Sequence, residues 1–272
     1  MTIFRPLMNR AFRDLPRIGV VQRIAQRYVD LCNGDQDGDM RTNGECEVIR
    51  RFIPSSKTVF DVGANKGDWA TEVLALNSHV DLHCFEPTQA AYRLLSSRFA
   101  DSDNSTIHLN QFGLGSESGH RSAFLYGDAD GGNSFYRRDP LSGDGRTQAV
   151  EERVSVSTLT DYCAANSIES IDLLKIDVEG HEVEVLRGGR SLFEKRAVGA
   201  VQFEYGGTFV KPRILLRDCF DFFAEYDYNL YKVFPKELRP VPVYEERLES
   251  FRYSNWLAVP ANGRSNGSAL AI

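Results

Sequence analysis

The sequence predicts a doubly wound α/β sheet with an N-terminal helical extension, and three observations predict it. Strand-like and helix-like runs alternate from residue 57 onward, and a glycine-rich turn joins the first strand-like run to the first helix-like one. The chain has 272 residues with 42% hydrophobic and 26% charged side chains, enough for one large core with an appendage. A net charge of −6 gives no general attraction to a phosphate backbone, so small molecules or glycans are expected partners and nucleic acid is not.

In chain order, residues 8–31 come first. They place Leu15, Ile18, Val21, Ile24, Ala25, Tyr28 and Leu31 at roughly helical spacing, with Arg10, Arg13, Arg17, Arg23 and Arg27 between them. This reads as an amphipathic helix packed on the main domain or on a second subunit. Asp14 and Asp30 dilute its charge and argue against a membrane-surface role. An apolar face left exposed on residues 15–31 would make a homodimer the expected assembly. The stretch NGDQDGDMRTNGE, residues 33–45, reads as a loop, and it lacks the closing Glu of a calcium-binding EF-hand. The first residues, MTIFRPLMNRAFRDL, have no secretory apolar segment, and no run of about 18 apolar residues occurs, so a cytoplasmic protein without a membrane span is expected. The five cysteines (Cys32, Cys46, Cys84, Cys163 and Cys219) are scattered and form no C-x-x-C pair, which fits reduced packing residues.

The alternation then runs KTVFDVG, GDWATEVLAL, VDLHCFE, TQAAYRLLSSRFA and TIHLNQF, followed by VSVSTL, TDYCAANS, IDLLKID, EVEVLRGGRSLFE and VGAVQFE. The runs YNLYKVF and YSNWLAV are close enough to pair antiparallel at one edge. Residues 127–148 interrupt the pattern with Gly, Asp, Ser and Arg, as a lid or binding loop does, and the tail ANGRSNGSALAI reads as disordered. The expected organisation is an extension over 1–50, a catalytic domain over 51–262 and a tail over 263–272.

The strongest chemical signal is VFDVGANKGDWA, residues 59–70. A buried strand ends at Asp61, and Gly63 and Gly67 let the backbone approach a ligand beside a helix N-terminus. The pattern is D-x-G-x-N-x-G, not the G-x-G-x-x-G of dinucleotide binders, which argues against an NAD-linked oxidoreductase. A carboxylate beside the turn repels pyrophosphate and suits a cationic cofactor, a sulfonium bearing an amino-acid ammonium. The next strand ends in CFEP, which places Glu86 near the roughly 20-residue offset of a ribose-binding acid. Asn110 and Gln111, ending the third strand, fall by strand order near the adenine end, or else serve packing.

With DLLKIDVEGHEVEVLRGG at residues 172–189 added to DVGANKG and FEP, the sequence resembles the FkbM family of methyltransferases over roughly residues 57–205. The resemblance implies a seven-stranded Rossmann-like methyltransferase sheet, S-adenosyl-L-methionine as donor, and hydroxyl acceptors on sugars, glycans or polyketide-type natural products. It carries over Asp61, Gly63, Asn65, Gly67 and Glu86 as cofactor residues, and Lys175, Asp177, Glu179, Gly180, His181 and Glu182 as a second signature. GGNSFYRR looks like the family's glycine and serine stretch, with acceptor contacts expected from Asn133, Ser134, Tyr136, Arg137 or Arg138.

Methylating a hydroxyl needs alignment and a base. His181, at a helix start, is the first expectation for that base. Asp177 is then expected to touch the cofactor's methionine portion or the acceptor, with Glu179 and Glu204 as alternative bases. A divalent ion on Asp177, Glu179 and Glu204 is the rival way to acidify the hydroxyl, less favoured because no adjacent acidic pair ends a strand. A non-catalytic scaffold would show an eroded cofactor motif, and nitrogen or carbon acceptors remain alternatives to oxygen.

Overall fold

The computed structural model describes residues 19–100, 106–127, 131–138, 149–262, 264–265 and 268–269. Helices α1 (Gly19–Asn33) and α2 (Glu45–Phe52) lead into β1 (Thr58–Val62), α3 (Asp68–Leu76), β2 (Asp81–Phe85), α4 (Gln89–Arg98) and β3 (Ile107–Asn110). Three strands follow: β4 (Gly113–Leu114), β5 (Gly119–Leu125) and β6 (Val150–Ser157). Then come α5 (Leu159–Ala165), β7 (Ile171–Ile176), α6 (Glu182–Gly188), α7 (Arg190–Glu194), β8 (Val198–Tyr205), α8 (Leu216–Glu225), β9 (Tyr228–Phe234), β10 (Glu237–Pro240) and β11 (Ser254–Pro260).

The main sheet runs β10-β9-β11-β8-β7-β1-β2-β3. β3, β2, β1, β7 and β8 are parallel neighbours, and β11, β9 and β10 add antiparallel pairs at one side. The sheet has eight strands rather than the seven expected, because β10 turns back on β9. The expected pairing of YNLYKVF with YSNWLAV is present as β9 against β11.

Alternate residues serve opposite faces, as the period of a strand dictates. Val59, Leu82, Leu173 and Ala200 pack in one cluster with Val48 of α2, Trp69 of α3 and Leu95 of α4. Phe60, Leu174 and Val201 pack in the other with Leu159 of α5, Val183 of α6, Phe193 of α7 and Phe220 of α8. Burial on both faces explains why β7, IDLLKI, is apolar almost throughout and buried at every position.

One expected strand leaves the main sheet. The VSVS run is not a main-sheet strand: as β6 it joins a separate sheet of order β4-β6-β5, because only Val154 and Val156 point inward while intervening residues face solvent. The boundary expected between residues 50 and 51 falls inside α2, whose Val48, Ile49 and Phe52 belong to the core. Of the expected N-terminal helix, residues 8–18 lie outside the described residues. Its remainder, α1, is held by Asp30, which accepts hydrogen bonds from Gln26 and Arg252, and it leaves Val21, Ile24, Tyr28 and Leu31 exposed. Residues 139–148 of the long loop and most of the expected disordered tail are likewise outside the described residues; within the tail, Arg264 and Ser265 pair antiparallel with Ala269 and Ser268. No described helix is long and apolar enough to cross a membrane.

Candidate active site

The C-terminal ends of β1, β2, β7 and β8 converge on two neighbouring cavities, as in other open parallel sheets. The first is a cleft of about 100 Å³ lined by Gly63, Asn65, Glu86, Thr88, Asp177 and the apolar wall of Phe85, Leu114 and Phe135. The second, about 990 Å³, is lined by Tyr136, Arg138, Glu204, Lys211, Arg213 and Tyr253 among others. Ser134 and Glu179 line both.

In the cleft, Glu86 is buried, with Oε2 accepting from the Asn65 N–H at 3.0 Å and Oε1 from the Thr88 N–H and hydroxyl at 2.9 and 2.6 Å. These donors fix a carboxylate that still has acceptor capacity towards the cavity. Asn65 sits at φ 48°, and its buried Oδ1 has no hydrogen-bond partner among the described residues. Gly63 lines the cleft at φ 86°. Gly67 does not line it: Gly67 precedes α3 at φ 85° and makes room for Leu95 and Phe99.

Asp61 is the first correction. It is fully buried and directly opposite Lys175 in the β1–β7 register, with its Oδ1 3.1 Å from the Lys175 ammonium. Lys175 reaches Asp177 as well, at 3.3 Å. Burial opposes the charge on Lys175, but the Asp61, Asp177 and Glu45 carboxylates outweigh it and hold the ammonium firmly protonated. Of these two carboxylates it is Asp177, with its side chain 36% exposed, that lines the cleft. Asn110 and Gln111 also stay off the cavities: Asn110 donates to the carbonyls of Cys84 and His108, and Gln111 is exposed.

His181 is the second correction. It is fully buried and lines neither cavity; Nδ1 lies 2.9 Å from the Tyr136 hydroxyl, and Gly115 packs against Nε2. Burial and the nearby Arg121 lower its pKa to about 4, so it remains neutral and is a weak base. It positions Tyr136, which does line the larger cavity. Of the other loop residues, Ser134 donates to the Glu179 carbonyl and accepts from the Tyr136 N–H, and Asn133 accepts from the Tyr126 N–H. Arg138 pairs with Glu179 at 3.0 Å, while Arg137 is exposed and off both cavities.

Asp177, Glu179 and Glu204 come together, with one carboxylate oxygen of each within 4.8 Å of the others. Burial, with the charges of Asp177 and Glu179 next, pushes the Glu204 carboxyl well above its ordinary value. Three hard oxygen donors at this spacing could also hold a divalent ion. Tyr253, which no sequence motif marks, lines the same cavity. Its hydroxyl accepts from the side-chain amides of Asn43 at 3.3 Å and Asn255 at 3.2 Å, which leaves its own proton for donation.

The Glu182 carboxylate, at the start of α6, accepts from the Val178 and Gly180 N–H groups of the turn before it. Burial raises its pKa to about 7. Its proton is bound more tightly in the folded than in the unfolded chain, so stability is highest below the ordinary carboxylate value and declines as pH rises to about 7. Urea unfolding between pH 4.5 and 8 is expected to show a loss of up to about 3 kcal/mol, with a smaller slope in Glu182→Gln.

A glycine turn and a buried acid at the ends of adjacent parallel strands, beside a carboxylate-lined cavity, make the kind of ligand site that open α/β sheets carry. A family model described as the methyltransferase FkbM domain matches residues 61–230, and the chain belongs to that family of methyltransferases. It is 25% identical over 186 residues to the 2-O-methyltransferase NoeI of Sinorhizobium fredii, covering 65% of this chain and 75% of that protein. The hexuronic acid methyltransferase AglP of Haloferax volcanii is 25% identical over 151 residues, 53% of this chain and 56% of that one. Methyltransferase sdnD of Sordaria araneosa is 30% identical over 159 residues, 50% of this chain and 61% of that one. The match thus spans less than two thirds of the length of AglP and sdnD.

Proposed function

We propose that the protein is an S-adenosyl-L-methionine-dependent O-methyltransferase acting on a hydroxyl of a sugar or glycan. Support for the donor comes from the family and from the cleft, where Glu86 can accept from ribose hydroxyls, the unpartnered Asn65 Oδ1 can accept from a cofactor N–H or O–H, and Asp177 can face the cationic end. When bound, the cofactor supplies an electrophilic methyl group on a sulfonium.

The observation that carries the oxygen reading is Glu204. A hydroxyl must lose its proton as it attacks, and a carboxylate with an elevated pKa is a stronger base than an ordinary one. Glu204 lines the larger cavity and is raised by burial and by Asp177 and Glu179. It takes the hydroxyl proton, while Tyr253 and Tyr136 supply hydrogen-bonding hydroxyls that orient the acceptor. Lys211 and Arg213 line the same cavity and favour an acceptor bearing a carboxylate or phosphate. The name of NoeI, a 2-O-methyltransferase, agrees with an oxygen acceptor, and that of AglP, a hexuronic acid methyltransferase, agrees with a sugar.

The test is transfer of labelled methyl to a panel of neutral sugars, uronic acids and nucleotide sugars, followed by mild alkali. An alkali-stable methyl ether is the expected product. An alkali-labile methyl ester, or label on nitrogen alone, would overturn the hydroxyl assignment.

A further inference from the structure

At the opposite end of β2 from the cleft, three metal-ligating side chains meet. Asp81 starts β2 and Glu86 follows its last residue, a separation of about 17 Å at the usual rise of about 3.3 Å per residue. His83 on β2 and His108 on β3 are register partners, and their rings stack with centroids 4.4 Å apart and planes 11° apart. Both present Nε2 to the same carboxylate: His83 lies 3.2 Å from Asp81 Oδ2, and His108 lies 2.7 Å from Asp81 Oδ1.

We propose that Asp81, His83 and His108 bind a divalent transition ion of the zinc, nickel or cobalt class, at a site separate from methyl transfer. One ligand atom of each residue already lies within 4.8 Å of the others. A tetrahedral ion with bonds of about 2.1 Å sets neighbouring donors about 3.4 Å apart, so ligation needs only small side-chain shifts from the observed 2.7 and 3.2 Å. Two imidazoles and one carboxylate suit this class, whereas magnesium and calcium prefer oxygen alone.

The surroundings fit ligation. Nδ1 of His83, the nitrogen away from Asp81, lies 2.8 Å from the Tyr162 hydroxyl on α5, an outer contact of the kind that fixes a ligating ring. His83 is buried, but the side chains of His108 and Asp81 are 46% and 43% exposed, so an ion can enter from solvent and a water can complete its coordination. β3 is the terminal strand of the main sheet, and a bound ion would tie it to β2 and stabilise the folded chain.

The experiment titrates cobalt(II), then competing zinc(II), into the chelator-stripped full chain, reading visible ligand-field absorption and the thermal midpoint. Expected are saturable bands at a single equivalent, displaced by zinc, with a raised midpoint. His108→Ala and Asp81→Asn are each expected to weaken binding by about tenfold or more, while Glu204→Gln, in the other carboxylate cluster, leaves the bands unchanged. Circular dichroism of the metal-free variants checks their folding, and Asp81→Asn preserves side-chain volume if His108→Ala disturbs the edge. Absence of cobalt bands in the unaltered chain would overturn the proposal. So would affinity equal to that of the unaltered chain in both variants, or loss of the bands in Glu204→Gln alone.

Discussion

Gly63→Ala is expected to abolish the native fold rather than trim activity. A Cβ at this position would lie 1.8 Å from the Asp177 carbonyl oxygen, far inside any tolerated contact, and Gly63 holds φ 86°, where L side chains are strained. The neighbouring atom is backbone, fixed by the β1–β7 ladder and by the Asp177 N–H donating to the Val62 carbonyl, so nothing cheap can move. A cost of about 4 kcal/mol or more places this among exceptional substitutions and can exhaust the stability of a marginal domain. Loss of the cooperative unfolding transition, or failure to recover soluble protein, is the expected observation. A folded Gly63→Ala protein with an ordinary midpoint would mean that the ends of β1 and β7 are not this close.

Glu204→Gln is expected to lower kcat by about 10²–10⁴-fold while leaving cofactor affinity near that of the parent. The substitution preserves shape and removes the proton acceptor at the larger cavity. The pH profile carries the more specific signature. A general base works only when deprotonated, and burial with the adjoining Asp177 and Glu179 charges raises Glu204, so activity should rise with pH through a value above the usual carboxylate range. That limb should disappear in Glu204→Gln. Retained kcat and an unchanged profile would return the role of base to another group, whereas His181→Gln is expected to act through misplacement of Tyr136 without removing the limb.

The sequence made the parallel core legible because each of its signals is local. Alternating runs fix strands and helices, the DVGANKG turn fixes the start of α3, and FEP fixes the acid that ends the next step; all three stand where the spacing put them. Roles set by partners distant in the chain were not legible. Asp61 ends a strand at the ligand rim, but its register partner across β7 is Lys175, which draws the carboxylate into a buried ion pair. His181 begins a helix as expected, yet Gly115, just past β4, and Tyr136, in the loop after β5, close over its ring. Tyr253 reaches the larger cavity from the lead into β11 with no motif around it, and its hydroxyl is met by Asn43, 210 residues away in the chain. The strand β6 joins the smaller sheet for a related reason: alternating burial marks a half-solvated sheet, and only tertiary pairing tells which sheet receives it.

Calorimetric titration of the purified chain with S-adenosyl-L-methionine, beside Glu86→Gln and Glu204→Gln, tests whether the cleft holds the methyl donor. Saturable binding by the parent and by Glu204→Gln is expected, with a loss of about tenfold or more in Glu86→Gln, where the charge-assisted acceptor proposed for ribose is gone. Absence of binding by the folded parent, or equal affinity in Glu86→Gln, would contradict it.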